Sequence, residues 1–378
     1  MTEGMKIGFD AKRIVRNATG LGSYGRTLVG DLARLPDLDL TLYAPDEGRI
    51  ELRRQVMERD NLHYSFANKR TALGRALWRS RGILRQLQRD GIQVYHGLSG
   101  ELPRGISRTG IPSVVTIHDL IFLRHPEFYK SVDVRIYTKK FRQTLREADR
   151  IVAISECTRR DICELGQIDR SRVSLIYQSC APQFAEEPDP KLLWQVRDQY
   201  NLPDRYVLSV GTIEQRKNVL LAVRALPLLP DDVSLVIVGR PTPYADEIQA
   251  YVDAERLHPR VMMLHDVPNE HLPALYRMAD TFVYPSRYEG FGIPVIEAIR
   301  MGLPVVAATG SCLEEAGGPD SLYVSPDDPE AMAHAISQTL YGAPGRERRI
   351  ELSRQYVSRF ENTGAAQQFA DLYRDVCK

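Results

Sequence analysis

The sequence predicts an α/β protein built from two doubly wound, parallel-sheet domains, and three observations lead there. At roughly 150 residues per domain, a 378-residue chain with 43% hydrophobic residues can bury two separate cores. Short runs rich in Val, Ile and Leu recur along it, each followed by a stretch of helical period, the pattern of parallel strands covered on both faces. A polar, Pro-containing stretch from Ala181 to Pro190 interrupts the series, which then begins again.

In the first half the strand-like runs are Lys6–Ala11, Asp39–Ala44, Gln93–Gly97, Ser113–Asp119, Arg150–Ser155 and Arg172–Gln178. In the second half they are Tyr206–Gly211, Ser234–Gly239, Val261–Val267, Thr281–Ser286, Pro304–Thr309 and Ser321–Pro326. We place the first domain at 1–184, the second at 185–360 and a terminal helix at 361–378. That last helix carries Ala366, Phe369, Ala370 and Tyr373 at helical spacing and should dock on a neighbouring surface. Between Lys69 and Asp90, Leu73, Leu77, Leu84 and Leu87 share one helical face, ringed by Lys69, Arg70, Arg75, Arg79, Arg81, Arg85 and Arg89. The plain expectation is a helix packed on the sheet. The alternative lays Trp78 and the arginines against anionic lipid.

Composition excludes several classes. Residues 1–185 carry 31 Lys+Arg against 21 Asp+Glu, whereas residues 186–378 carry 19 against 28, so the halves should meet different partners. The basic half shows no zinc finger, RNP-like segment or heptad zipper, which argues against nucleic acid and for an anionic acceptor or lipid. Five cysteines without a CxxC pair suggest reduced packing residues. No run approaches the roughly 18 apolar residues of a membrane span, and Met1–Phe9 has no apolar h-region. A cytoplasmic protein is expected, free or peripheral on the inner membrane face.

In such sheets ligands bind outside the carboxyl ends of strands, so segments just after strands matter most. The strongest constellation is Pro285-Ser286-Arg287-Tyr288-Glu289-Gly290-Phe291-Gly292-Ile293-Pro294-Val295-Ile296-Glu297-Ala298. Gly290 and Gly292 let backbone approach a ligand, and Pro294 suits the first turn of a helix starting near Ile293. A helix start there offers unpaired N–H groups and a positive dipole end. Glu289 then lies in the loop and Glu297 about one turn inside the helix, two carboxylates suited to sugar hydroxyls. Taken alone, Glu289 could be a solvated loop acid and Glu297 a helix cap. After the strand at 206–211, Gly211 opens a loop in which Arg216 and Lys217 could neutralise a diphosphate, although basic pairs in loops are commonly only solvated.

Gly20, Gly22 and Gly25 match G-x-G-x-x-G, but they start about eight residues after the strand, whereas a dinucleotide fingerprint follows its strand immediately. A glycine loop near a sugar diphosphate fits better. His118 and His96 end adjacent strands of one sheet edge, which favours a site over two structural histidines. No HxxxH or HxH spacing occurs, and Asp37-Leu38-Asp39 precedes a strand, so neither a metal nor another cofactor is expected.

These residues resemble the retaining GT-B glycosyltransferases of family GT4 over essentially the whole chain, most specifically from Tyr206 to Asp328. The E-x7-E hallmark appears as Glu289 and Glu297 in a Glu-Gly-Phe-Gly-Ile-Pro context. The resemblance implies two Rossmann-like domains facing a cleft, the donor held mostly by the second, the acceptor mostly by the first, and a final helix crossing back to the first. It implies that Glu297 bonds the ribose, Glu289 the donor sugar near its 3-hydroxyl, and the backbone of Phe291, Gly292 and Ile293 the sugar and diphosphate. Lys217 with Arg216 would stabilise the departing diphosphate, His118 would touch the sugar near its 6-hydroxyl, and Gly20 and Gly22 would flank the diphosphate. Where many members carry Arg after the glycine, this chain has Thr212, and Arg216 would supply that charge. The Thr-Ile-His-Asp-Leu and Gly-Thr-Ile-Glu-Gln-Arg-Lys-Asn segments look most like bacterial mannosyltransferases of polysaccharide or lipopolysaccharide assembly. GDP-mannose is therefore the expected donor, with UDP-sugars open, and a glycan or lipid-diphosphate the expected acceptor. The competing readings are an NAD-dependent oxidoreductase, a non-catalytic sugar-nucleotide binder, and a GT-B relative such as a 2-epimerase or phosphorylase.

Overall fold

The computed structural model describes residues 4–67, 69, 71–361 and 364–378; Met1–Glu3 and Arg70 of the expected basic helix lie outside them. The chain divides into two compact units, Met1–Gln178 with Thr363–Lys378, and Ser179–Asn362. Each is a fully parallel sheet with helical crossovers.

In the first unit the strands are β1 (Met5–Asp10), β2 (Leu38–Ala44), β3 (Leu62–Phe66), β4 (Val94–Gly97), β5 (Ser113–Ile117), β6 (Arg150–Ala153) and β7 (Val173–Leu175), in the order β3-β2-β1-β4-β5-β6-β7. In the second they are β8 (Tyr206–Val210), β9 (Ser234–Val238), β10 (Val261–Leu264), β11 (Thr281–Tyr284), β12 (Val305–Ala308) and β13 (Leu322–Val324), in the order β10-β9-β8-β11-β12-β13. The strand order reverses between β1 and β4 and between β8 and β11, so each sheet opens a crevice at that switch point. The strand missing from the sequence reading is β3. Among the described residues it pairs only with β2, and its Leu-His-Tyr-Ser-Phe alternation is that of an edge strand rather than a continuous apolar run.

The expected Lys69–Asp90 helix is split. An α-helix at Ala72–Leu77 passes through a π-helical turn at Trp78–Gly82 into a second α-helix at Ile83–Arg89. The wide turn brings Trp78 and Ile83, five apart, onto the buried face with Leu87, while Leu73 and Leu77 stand 70% and 60% exposed. Two expectations fail for this reason. The four leucines do not share one packed face, and Trp78, 8% exposed and packed in the core with Ile83 and Ile106, does not lie against lipid.

The terminal helix, Ala365–Val376, starts at Gly364 in the left-handed region (φ 60°) and buries Phe369, Ala370 and Tyr373 in the first unit's core. The Tyr373 hydroxyl meets His96 Nδ1 at 2.7 Å, and His96 Nε2 meets Thr116 Oγ1 at 2.9 Å. Burial pushes the His96 imidazole down to about 3, so it is neutral in this network. Its hydrogen bonds tie the helix to β4 and β5. Tyr373→Phe should therefore lower the unfolding free energy by about 1–3 kcal/mol, by stranding a buried ring nitrogen. Phe369→Ala should cost about 3–5 kcal/mol, by opening a cavity. Urea titration of the two variants against wild type tests both, and wild-type midpoints would dissociate His96 from the helix's attachment.

Candidate active site

The second unit gathers most of the predicted residues at its switch point. From the carboxyl end of β8 the chain runs through Gly211 into a 3₁₀ turn at Gln215–Lys217. From the carboxyl end of adjacent β11 it runs through Pro285–Gly292 into the helix Ile293–Arg300. Gly292 caps that helix at φ 102°, and a Cβ there would lie 2.8 Å from Leu313 Cδ2, so the helix start can be this tight only with glycine. Pro294 occupies the first turn, where a missing N–H costs nothing. The Phe291 ring is buried edge-on against Phe360 at 5.2 Å, anchoring the segment that carries Gly290, Gly292 and Ile293.

Glu289 is the hub. Its Oε1 accepts from Lys217 Nζ at 2.5 Å and from Ser286 Oγ at 2.5 Å, and lies 2.9 Å from Arg216 Nη1. Burial alone would raise its carboxyl, but Lys217 and Arg216 outweigh that and hold it down at about 2. Neither plain alternative describes these residues: Glu289 is not a solvated loop acid, and the side chains of Arg216 and Lys217 are only 15% and 17% exposed. Lys217 also donates to the Tyr284 hydroxyl at 2.6 Å, with its ammonium 4.9 Å from that ring's centre. Arg216 donates to the Tyr288 carbonyl at 2.7 Å and to Glu214 Oε1 at 2.6 Å. Its guanidinium thus reaches the Glu289 cluster from a loop in which position 212 is Thr.

Glu297 lies one turn into the helix and is bonded by the buried Tyr276 hydroxyl at 3.0 Å. Desolvation raises its carboxyl to about 7, against the Tyr276 bond that lowers it. Two carboxylates of one motif are thereby driven in opposite directions, the usual mark of a division of labour.

In the first unit, His118 follows β5 and donates Nε2–H to the Leu98 carbonyl at 2.9 Å, with Tyr24 edge-on to its ring at 4.6 Å. Burial lowers the imidazole to about 4, leaving Nδ1 as the acceptor of a neutral ring. Gly20 and Gly22 do not form a loop. They open the helix Gly20–Leu32, which brings Tyr24 to His118, and a Cβ on Gly22 would fall 1.8 Å from the Asn17 carbonyl oxygen. The separate helix Lys12–Arg16 intervenes between β1 and these glycines, so the dinucleotide geometry is absent. His96, expected beside His118 as a site residue, is instead wholly buried in the network with Tyr373.

Sequence reasoning passed over Tyr284, Ser286 and Tyr276. The first two had a signal, since Tyr284 ends β11 and Ser286 precedes Glu289 by three residues, within reach of its carboxylate. Tyr276, on another helix, had none. A stability consequence follows from Glu297. Its carboxyl is higher when folded (about 7) than in its ordinary state (4.5), so the native state keeps the proton between those values; its contribution is full below about 4.5 and is lost as pH rises through about 7. Glu297→Gln should remove that decline, worth roughly 2–3 kcal/mol. Denaturation of both proteins at pH 5 and pH 8 measures it, and parallel behaviour would show the carboxyl is not desolvated.

Two family models match the chain: Glycosyltransferase Family 4 over residues 18–180 and Glycosyl transferases group 1 over residues 194–356. The O-antigen chain mannosyltransferase B of Escherichia coli is 30% identical over 91% of this chain and 92% of its own length. The O-antigen chain mannosyltransferase RfbU of Salmonella typhimurium is 28% identical over 69% of this chain and 67% of its own length. The crystal structure of Anabaena HepE in complex with UDP and glucose superposes with a TM-score of 0.75 at 18% identity, covering 98% of this chain and all of that one. The chain belongs to the family 4, group 1 glycosyltransferases and has their GT-B fold.

Proposed function

We propose that this glycosyltransferase moves mannose from GDP-mannose, with retention of configuration, to a glycan or lipid-linked acceptor in cell-surface polysaccharide synthesis. The observation that carries the reading is the pairing of Lys217 and Arg216 on Glu289 beside the start of the Ile293–Arg300 helix, at the switch point of the second sheet. Cations and a helix dipole converge there on one place for a diphosphate, with a carboxylate beside it for sugar hydroxyls. The mannosyl donor is supported by the two O-antigen mannosyltransferases among the relatives.

In this mechanism the bond between the sugar's C1 and the diphosphate oxygen loosens, and charge grows on the leaving group. Lys217 and Arg216 meet that charge, and the acceptor hydroxyl attacks C1 from the face being vacated. A departing phosphate oxygen takes the hydroxyl proton, leaving GDP and the new glycoside. Glu289, held ionised by Lys217 and Arg216, is a weak base, and in this scheme the proton goes to the phosphate oxygen instead. Glu297 accepts from the ribose hydroxyls, and the neutral His118 ring from a sugar hydroxyl at Nδ1. An anionic inner membrane face as the setting is supported by the exposed Arg81, Arg85 and Arg89. Among the described residues no helix is long and apolar enough to cross a membrane.

Lys217→Ala should lower kcat by about a hundredfold or more, the typical worth of one donor aimed at developing charge. Because the change also removes one of the two cations on buried Glu289, the double variant Lys217→Ala/Glu289→Gln serves as the folded control, and near-normal turnover in either would refute the role. A thermal-shift panel of GDP-mannose, UDP-glucose and UDP-galactose should give its largest stabilisation with GDP-mannose. The anomeric coupling in the product should report the donor's own α configuration. A larger shift with a UDP-sugar would overturn the donor, and a β product the mechanism.

A further inference from the structure

The first unit contains a cavity of about 540 Å³ that the donor chemistry does not use. It lies at the other switch point: Asp10 ends β1 and Lys12 follows it, Tyr95 lies within β4 and Glu101 follows it, and the helices Ala72–Leu77 and Ser131–Glu147 close the sides. Six cationic side chains line it against two carboxylates.

The ion pairs show which of those charges are already answered. Arg79, only 16% exposed, donates to Asp10 Oδ2 through Nε at 2.9 Å and through Nη2 at 2.5 Å, and to Glu101 through Nη1. Glu101 also accepts from Lys140 Nζ at 3.0 Å. The cavity's two carboxylates are thus consumed by Arg79 and Lys140. Arg16 and Arg75 turn to Asp46. Arg104 donates Nε–H to the neutral Gln143 Oε1 at 2.6 Å, and Lys12 makes no side-chain ion pair among the described residues. Burial and the neighbouring Arg79 push the Lys12 ammonium down, as for a cation held among cations without an anion of its own. A built pocket with surplus positive charge invites an anion.

Part of its lining is apolar. Leu73 and Leu77, the leucines that the π-helical turn leaves exposed, line it together with Pro45, Ala76 and Pro103. An inorganic ion would leave that surface unused, whereas a phosphate ester on a hydrocarbon chain would cover it.

We propose that this cavity receives the phosphate or diphosphate of an amphiphilic acceptor, with Lys12 and Arg104 bonding the anion and Leu73 and Leu77 lying along the apolar chain. This rests on the reading of the chain as a transferase to a lipid-linked acceptor and places the acceptor's anchor within the first unit. The probes are farnesyl diphosphate, inorganic pyrophosphate and farnesol, titrated calorimetrically into the full chain, with GDP titrated separately. Farnesyl diphosphate should bind more tightly than pyrophosphate, and farnesol weakly. Lys12→Ala/Arg104→Ala should weaken farnesyl diphosphate by about a hundredfold, roughly tenfold for each charge-assisted contact. Leu73→Ser/Leu77→Ser, at exposed positions that folding tolerates, should weaken farnesyl diphosphate but not pyrophosphate. Lys12→Arg should restore part of the first loss, and GDP affinity should stay at the wild-type value throughout. Wild-type affinity for farnesyl diphosphate in the charge variant, farnesol binding as well as the diphosphate, or no diphosphate binding at all would overturn the proposal. Failure of GDP to bind wild type would instead strike at the transferase reading.

Discussion

The second unit's site depends on one buried carboxylate. Taking Glu289 out of water costs several kcal/mol unless opposite charge and hydrogen bonds replace the solvent. Lys217, Arg216 and Ser286 do so, and because they sit on two loops, satisfying the carboxylate also fixes those loops to each other. The backbone repeats the stitch: the Arg216 carbonyl accepts from Arg287 N at 2.9 Å, and Asn218 Nδ2 reaches the Pro285 carbonyl at 3.2 Å and that of Pro326 at 2.8 Å. The cations are therefore held in place before any ligand arrives, the condition under which electrostatic stabilisation acts without reorganisation.

The first unit solves the same problem at its own switch point with the opposite balance. Partly buried Arg79 is the hub there, and Asp10 and Glu101 are its satellites. Each hub needs its opposite charges for solvation, so neither can be removed alone without leaving charge in a low-dielectric setting. What differs is the remainder. Around Glu289 two cations face two carboxylates, Glu289 and Glu214, against a helix start; in the first unit's cavity the cations outnumber the carboxylates and the lining is partly apolar. Two anions of different character would suit the two places.

Much of this was legible from residue order, because parallel sheets read as apolar runs and switch-point loops follow strands directly. Place after a strand singled out Glu289, Glu297, Arg216 and Lys217, while place alone left each with a plain alternative. What escaped shares a physical reason: it depends on side-chain contacts that no period encodes. The edge strand β3 is half covered and so lacks a continuous apolar run. The π-helical turn at Trp78–Gly82 leaves no break in composition, yet it exchanges Leu73 and Leu77 for Trp78 and Ile83 in the core. Gly20 and Gly22 looked like a loop because helices avoid glycine, but here close approach to the Asn17 carbonyl requires one. His96 read as functional from its position, while the residue that occupies it, Tyr373, lies at the far end of the chain.

The contrast between the two glutamates bears directly on the chemistry. A motif of two identical side chains could serve two interchangeable ligands, but Glu289 lies in a field of cations, whereas Glu297 is desolvated and bonded by one tyrosine hydroxyl. The first is ionised throughout the physiological range and can only accept. The second sits near neutrality, so hydroxyl donors from a ribose would favour its charged form and draw it into binding. Under the proposed transfer neither carboxylate is suited to take the acceptor's proton: Glu289 is too weak a base, and Glu297 is occupied with the nucleoside. The strongest remaining base beside the new bond is the oxygen that has just left C1, which the Lys217–Arg216 pair is placed to hold.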